Sequence, residues 1–205
     1  MSMLRIEKLT ISRGERILAT DLNFQVKPGE ALVAEGPNGS GKTTLLRTLA
    51  TLSPPLRGTI YWQDHALSDI TEVYRSKMLF LGHTPAVKLD LTPEENLKVY
   101  ARLAGAVTEP SAALECLGIR RYAATLCRHL SAGQLRRVAL ARLILTAAPL
   151  WILDEPFTAL DRQTIDGLSS LLEEHLAEGG SAIITTHQQL SLGRASVARL
   201  PLGTG

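Results

Sequence analysis

Residues 36–43 read Gly-Pro-Asn-Gly-Ser-Gly-Lys-Thr, and each residue type there suits a phosphate chain. Gly36, Gly39 and Gly41 let the backbone curl until several N–H groups converge on one anion. Pro37, Asn38 and Ser40 fill the positions between them. Lys42 brings an ammonium to the β- and γ-phosphates, and the Thr43 hydroxyl, with Thr44 behind it, is placed for a magnesium ion. Such a loop works between a strand and a helix, whose positive end adds to the anion site. The context is right: residues 31–35 form a short apolar run, and Leu45, Leu46, Leu49 and Leu52 recur afterwards at helical spacing.

A second chemical group follows another apolar run, Leu150 to Leu153, which ends in Asp154 and Glu155. Open α/β sheets bind ligands at the carboxyl ends of their strands. There Asp154 suits magnesium, held through water, and Glu155 suits polarising an attacking water. Alone, Asp-Glu-Pro could merely end a strand and open a turn; the phosphate loop upstream favours the chemical reading. A third strand, from Ala182, runs to His187, whose imidazole would reach the γ-phosphate and the water. His65, His129 and His175 have no such placement and read as surface or core histidines. Ser131 with Gln134 three residues on is a capping box, a common helix start. With Gly133 between them, the same start is also an anion site.

The elements that must hold these groups follow from hydrophobic period and turn residues. Residues 58–62 and 78–82 read as further strands. Pro54-Pro55 stops the helix after the loop. From about residue 88 to 148 the pattern is helical throughout, with Thr92 as N-cap, Pro93 in the first turn and Glu94 and Glu95 beside it. A helix from about Asp161 to Ala177, closed by Gly179-Gly180, separates the last two strands, and almost nothing follows His187. Strands alternating with helices predict an α/β fold with a parallel sheet, carrying the helical block as an insertion. One domain is expected for 205 residues, with a core of 1–86 and 149–205 and a helical part of 87–148. The net charge of +2 gives no strong basic field for nucleic acid. There is no apolar run of the roughly 18 residues a membrane span needs, and no signal-peptide pattern. Cys116 and Cys127 are too few for a disulfide scaffold, which fits a reducing cytoplasm.

The phosphate loop, Leu130-Ser131-Ala132-Gly133-Gln134, the run Leu150 to Pro156, Thr158-Ala159-Leu160-Asp161 and His187 have a shared order and spacing. In these the chain resembles an ABC transporter ATP-binding subunit over essentially its whole length. The resemblance implies a P-loop NTPase with a RecA-like core and an inserted helical signature subdomain. It implies ATP and Mg²⁺ as ligands, and a site completed by a second copy of the chain. Ser131, Gly133 and Gln134 would then contact ATP held by the partner's Lys42, and Asp161 would lie at the dimer interface. Three positions depart from the common pattern. His83 stands where a glutamine is usual, and its shorter reach weakens any direct contact with Mg²⁺. Ser12-Arg13-Gly14 replaces an aromatic that stacks on adenine; the guanidinium plane of Arg13 can stack instead. Ala132 replaces a glycine.

Gly82-His83 with Lys88, Phe157-Thr158-Ala159 after Asp-Glu-Pro, and Thr185-Thr186-His187-Gln188 resemble the heme-exporter ATP-binding subunit of bacterial cytochrome c maturation. That implies a peripheral subunit at the cytoplasmic face of the inner membrane, paired with integral membrane subunits. ATP hydrolysis would release a heme-loaded chaperone from the complex, with no direct heme binding by this chain and no nucleic acid partner. Cys116 and Cys127 indeed lack heme-attachment spacing. The expected docking face runs from His83 to Asp90 and on into the helical block, with Leu89 and Leu91 as its apolar groups. Three alternatives stay open. One is the ATPase of another small-solute, peptide or metal exporter. A soluble ABC ATPase would need a long insertion or a tandem domain, for which the chain has no room. A phosphate-loop nucleotide kinase would have no use for residues 131–134.

Overall fold

A computed structural model describes residues 3–106, 108–186, 192–193 and 195–203. In chain order the first half gives β1 (Leu4–Arg13), β2 (Arg16–Val26), β3 (Glu30–Glu35), α1 (Lys42–Leu49), β4 (Arg57–Trp62), β5 (His65–Ala66), α2 (Leu67–Ser76) and β6 (Met78–Leu81). The second half gives α3 (Pro93–Ala104), α4 (Pro110–Cys116), α5 (Ala132–Leu145), β7 (Leu150–Asp154), α6 (Arg162–Ala177), β8 (Ser181–Thr185) and β9 (Ser196–Pro201). The strands form two sheets: an antiparallel one in the order β2-β1-β4-β5 and a parallel one in the order β6-β7-β8-β3-β9.

The parallel sheet is the centre, and its inner strands β3, β7 and β8 are apolar on both faces because both are covered. Every residue of β7 and β8 is buried. Leu150, Ile152, Ile183 and Leu32 join the core shared with α1 and the antiparallel sheet. Trp151, Leu153, Ile184 and Val33 join the core shared with α4, α5 and α6. Successive side chains therefore face opposite layers, as the period of a strand requires.

The structure confirms the parallel α/β sheet and corrects four details of the sequence reading. The antiparallel sheet is a layer the hydrophobic pattern did not reveal, because register shifts between Ile6 and Ser12 break the alternation along β1. Residues 88–148 are not helical throughout: residues 117–131 contain only short 3₁₀ turns at Arg120–Tyr122 and Cys127–His129. Leu117, Ile119, Cys127 and Leu130 are buried without being in an α-helix, so their apolar spacing reports burial alone. The chain beyond residue 187 does build structure: β9 pairs along its length with β3. The helix after the phosphate loop ends at Leu49, well before Pro54, where the N–H of Ala50 closes on Leu46.

Candidate functional site

Strands β7, β8 and β3 are neighbours and parallel, so their carboxyl ends open on one edge of the sheet. The loop after β3 enters α1 through Gly41, which has no side-chain cap bond, and the first-turn N–H groups have no helical acceptors. Gly36 must be glycine: its φ is +152°, and a Cβ there would lie 2.4 Å from the Leu202 carbonyl oxygen. Leu202 is placed by β9, its N–H donating to Glu35 O at 2.7 Å. Lys42 is buried, and its Nζ donates to Gly36 O at 2.7 Å and Pro37 O at 3.1 Å, holding the ammonium over the loop. Ser40 Oγ is buried with no hydrogen-bond partner, a donor suited to a phosphate oxygen. Pro37, Asn38 and Gly39 form the exposed tip.

A chain of hydrogen bonds ties this loop to the next strands. Thr43 Oγ1 donates to Asp154 Oδ2 at 2.9 Å, and Thr185 Oγ1 donates to Asp154 Oδ1 at 2.6 Å. The Glu155 N–H donates to Thr185 Oγ1 at 2.9 Å. Asp154 is 1% exposed, so both its oxygens have partners in a buried setting. Glu155 sits in the left-handed region at φ +49°, which turns its side chain off the strand line. Thr158 Oγ1 donates to Glu155 Oε2 at 3.4 Å, and His83 Nδ1 lies 3.8 Å from the same oxygen. Thr43 and Asp154 together offer hard oxygen ligands of the kind Mg²⁺ takes. Among the described residues no group of three or more His, Cys, Asp or Glu could hold a metal by itself.

The helix start at residues 131–134 is a full capping box: Gln134 N–H donates to Ser131 Oγ at 3.3 Å and Ser131 N–H to Gln134 Oε1 at 2.8 Å. Gly133 packs against the loop before α6, where a Cβ would lie 2.6 Å from the Ala159 carbonyl oxygen. Ser131, Gly133, Gln134, Arg137 and Asp161 line a concavity of about 310 Å³, and none of residues 36–44 lines it. Asp161 is the N-cap of α6 and accepts from the Thr164 N–H. Its carboxyl is held below the usual range by the Thr164 hydroxyl and N–H, with Arg137 alongside.

Lys42, Thr43, Asp154, Glu155 and His83 are thus brought together, while Ser131, Gly133, Gln134 and Asp161 form a separate surface. His187 lies outside the described residues; the strand that leads to it, β8, does stand between β3 and β7. Arg13 is exposed at the end of β1, in register with Arg16. Sequence reasoning missed Thr185, which looks like any strand former, and Leu202, whose role depends on a long-range strand pairing. It also missed Arg136. The signal there was a charge among apolar helix positions: Arg136 is 4% exposed, and its guanidinium donates to five backbone carbonyls.

Comparison with known proteins bears on all of this. A family model described as ABC transporter matches residues 19–158. The cytochrome c biogenesis ATP-binding export protein CcmA of Nitrosococcus oceani is 47% identical over 94% of this chain and 89% of its own length. The protein of the same name from Escherichia coli K12 is 43% identical over 98% of this chain and 97% of its own. Among solved structures, an ATP-binding subunit of an ABC transporter superposes with a TM-score of 0.86 at 28% identity, covering 98% of this chain and 86% of that one. A dimeric ATP-binding cassette in a post-hydrolysis state, bound to ADP and Pi, superposes with a TM-score of 0.80 at 26% identity, covering 98% of this chain and 94% of that one.

Proposed function

The chain belongs to the ABC transporter ATP-binding family, in its cytochrome c biogenesis export branch, and we propose that it is the ATP-hydrolysing subunit of a heme-exporter-type complex. One observation carries the catalytic reading: the hydrogen-bond chain from Thr43 through Asp154 and Thr185 to Glu155 puts the phosphate loop and both carboxylates on one sheet edge. Residues 36–41 wrap the phosphates with backbone N–H groups and the Ser40 hydroxyl. Lys42 leaves the carbonyls of Gly36 and Pro37 for the β- and γ-phosphate oxygens. Thr43 and Asp154 would hold Mg²⁺, and the ion when bound would supply charge that neutralises the phosphate chain. Glu155 orients and polarises the water that attacks the γ-phosphate in line, and His187 supports the transferred phosphoryl group.

The separate surface at Ser131, Gly133 and Gln134 serves a second copy of the chain, reaching ATP held by the partner's Lys42. The solved cassette bound to ADP and Pi is itself dimeric, which supports this arrangement. Asp161 lies at that interface. The whole chain acts as one domain, with the core at 1–86 and 149–205 and the signature-bearing helical part at 87–148. Integral membrane subunits dock at residues 83–90, where Leu89 is 51% exposed and Leu91 is half-buried, so Leu89 is the available apolar group. On this reading the chain works at the cytoplasmic face of the bacterial inner membrane, where closure of the dimer drives release of a heme-loaded chaperone. The chain itself takes no part in heme or nucleic acid binding.

The decisive assay is ATP turnover by Glu155→Gln. The variant is expected to bind ATP with near-normal affinity and to lose turnover by about 100-fold or more, as loss of a water-activating group does. Near-normal hydrolysis would remove Glu155 from the reaction.

A further inference from the structure

Arg136 is the fifth residue of α5, the helix that begins with Ser131 at its N-cap. A guanidinium has five N–H donors and no acceptor, and here all its recorded bonds go to backbone oxygens. Nη1 donates to Gly82 O at 2.8 Å and His83 O at 3.4 Å. Nη2 donates to Asp154 O at 2.9 Å and Glu155 O at 2.8 Å, and Nε donates to Pro156 O at 3.3 Å. Burial pushes its pKa down, and the nearby Asp154 and Glu155 push it back up. One side chain thus joins three places: the start of α5, the exit of β6 where His83 stands, and the exit of β7 where Glu155 stands.

The consequence for Glu155 is specific. Its N–H is held by Thr185 and its carbonyl by Arg136, so the left-handed turn at φ +49° is fixed from both sides. The backbone from which the carboxylate springs is therefore held by Thr185 and Arg136, while Thr158 and His83 meet the carboxylate itself. We propose that Arg136 is a positioning residue for Glu155, aiming its carboxylate only when the helix that carries Ser131 and Gly133 is in register with the core. This rests on the hydrolytic reading of Glu155. Lysine cannot replace it, because a single ammonium cannot span the carbonyls of Gly82 and Glu155 as a planar fork does.

The test uses the full chain purified with the membrane proteins it brings down. Arg136→Lys and Arg136→Ala are measured for melting, ATP KM and kcat, alone and with Glu155→Gln. A folded Arg136→Lys should keep KM within about 3-fold and lose about 10- to 100-fold in kcat, the scale of a misplaced catalytic group. Millimolar guanidinium should restore part of the kcat of Arg136→Ala, which a merely structural loss would not allow. In the Glu155→Gln background, Arg136→Lys should lower the residual turnover no further. Unchanged kcat in Arg136→Lys, a loss confined to KM, an additive loss in the double variant, or failure of both variants to fold would overturn the proposal. If Glu155→Gln alone keeps near-normal turnover, the hydrolytic reading falls and this proposal with it. A loss in Glu155→Gln with none in Arg136→Lys sinks the proposal alone.

Discussion

Thr185 carries no charge, yet it ties the Asp154 carboxylate to the Glu155 backbone. Its hydroxyl donates to Asp154 Oδ1 and accepts from the Glu155 N–H, at 2.6 and 2.9 Å. Valine has the same branched shape and no donor, so Thr185→Val strands the buried Asp154 Oδ1 and leaves the Glu155 N–H with only the Thr185 carbonyl, 3.1 Å away. Leaving such groups unpaired costs about 1–3 kcal/mol. The denaturant midpoint should fall accordingly, with kcat falling too as Asp154 and Glu155 lose their alignment. Thr185→Ser should recover both; a valine variant that unfolds like the parent chain would show that the network adds nothing. The gathering of the phosphate loop, Asp154 and Glu155 at one sheet edge was legible from type and spacing. Thr185 was not, because threonine at a strand end is what β propensity alone would place there.

The same contrast holds for whole elements. Helix starts were legible where side chains cap them: Thr92 is the expected N-cap, with Glu95 closing a reciprocal box, and Ser131 with Gln134 forms the box its spacing predicts. The central strands were legible from apolar runs. The antiparallel sheet and β9 were not, since their pairing is long-range and their alternation is irregular. At the far end of β7 from the carboxylates, α6 lays His175 on Trp151, rings stacked at 3.7 Å and 6°. His175 Nε2 lies 3.2 Å from Ser181 O, tying α6 to the start of β8. Burial lowers the His175 pKa below the ordinary value of 6.5, against smaller opposing effects of the Ser181 carbonyl and Glu178. The unfolded chain therefore binds this proton more readily than the folded one. The His175 contribution to stability is intact above about pH 6.5 and is lost as pH falls below that value toward the lowered folded pKa. The melting midpoint should drop on going from pH 7 to 5.5, and His175→Phe should flatten that slope while keeping the stack. A slope unchanged by the substitution would assign the effect to other groups.

At the scale of the whole molecule, the described chain presents two incomplete surfaces. The concavity at Ser131, Gly133 and Asp161 is lined by none of residues 36–44, so it and the phosphate loop are separate surfaces of one chain. Among the described residues no helix is long and apolar enough to cross a membrane. A membrane partner docking as proposed would meet exposed apolar groups on the loop between β6 and α3 and on α3 itself. Leu89 is 51% exposed there, and Val99 and Leu103, one turn apart on α3, are 41% and 80% exposed. The Leu89 backbone is anchored all the same, its carbonyl accepting from the Arg128 N–H at 3.0 Å. A substitution at Leu89 thus alters a fixed outward surface and leaves the core untouched. Leu89→Asp should change stability by no more than about 0.5 kcal/mol, as surface substitutions do. Against an apolar partner it would bury an unpaired carboxylate, a penalty far larger than that. ATP binding by the isolated chain should be unaffected, and so should ATP-induced doubling of mass in the Glu155→Gln background. Recovery of membrane subunits in a pull-down should fall by about tenfold or more, equivalent to about 1.4 kcal/mol of docking free energy, and the heme absorbance of the recovered complex should fall in parallel. Undiminished recovery would move the docking face away from residues 83–90, since the variant leaves every other surface of the chain as it was.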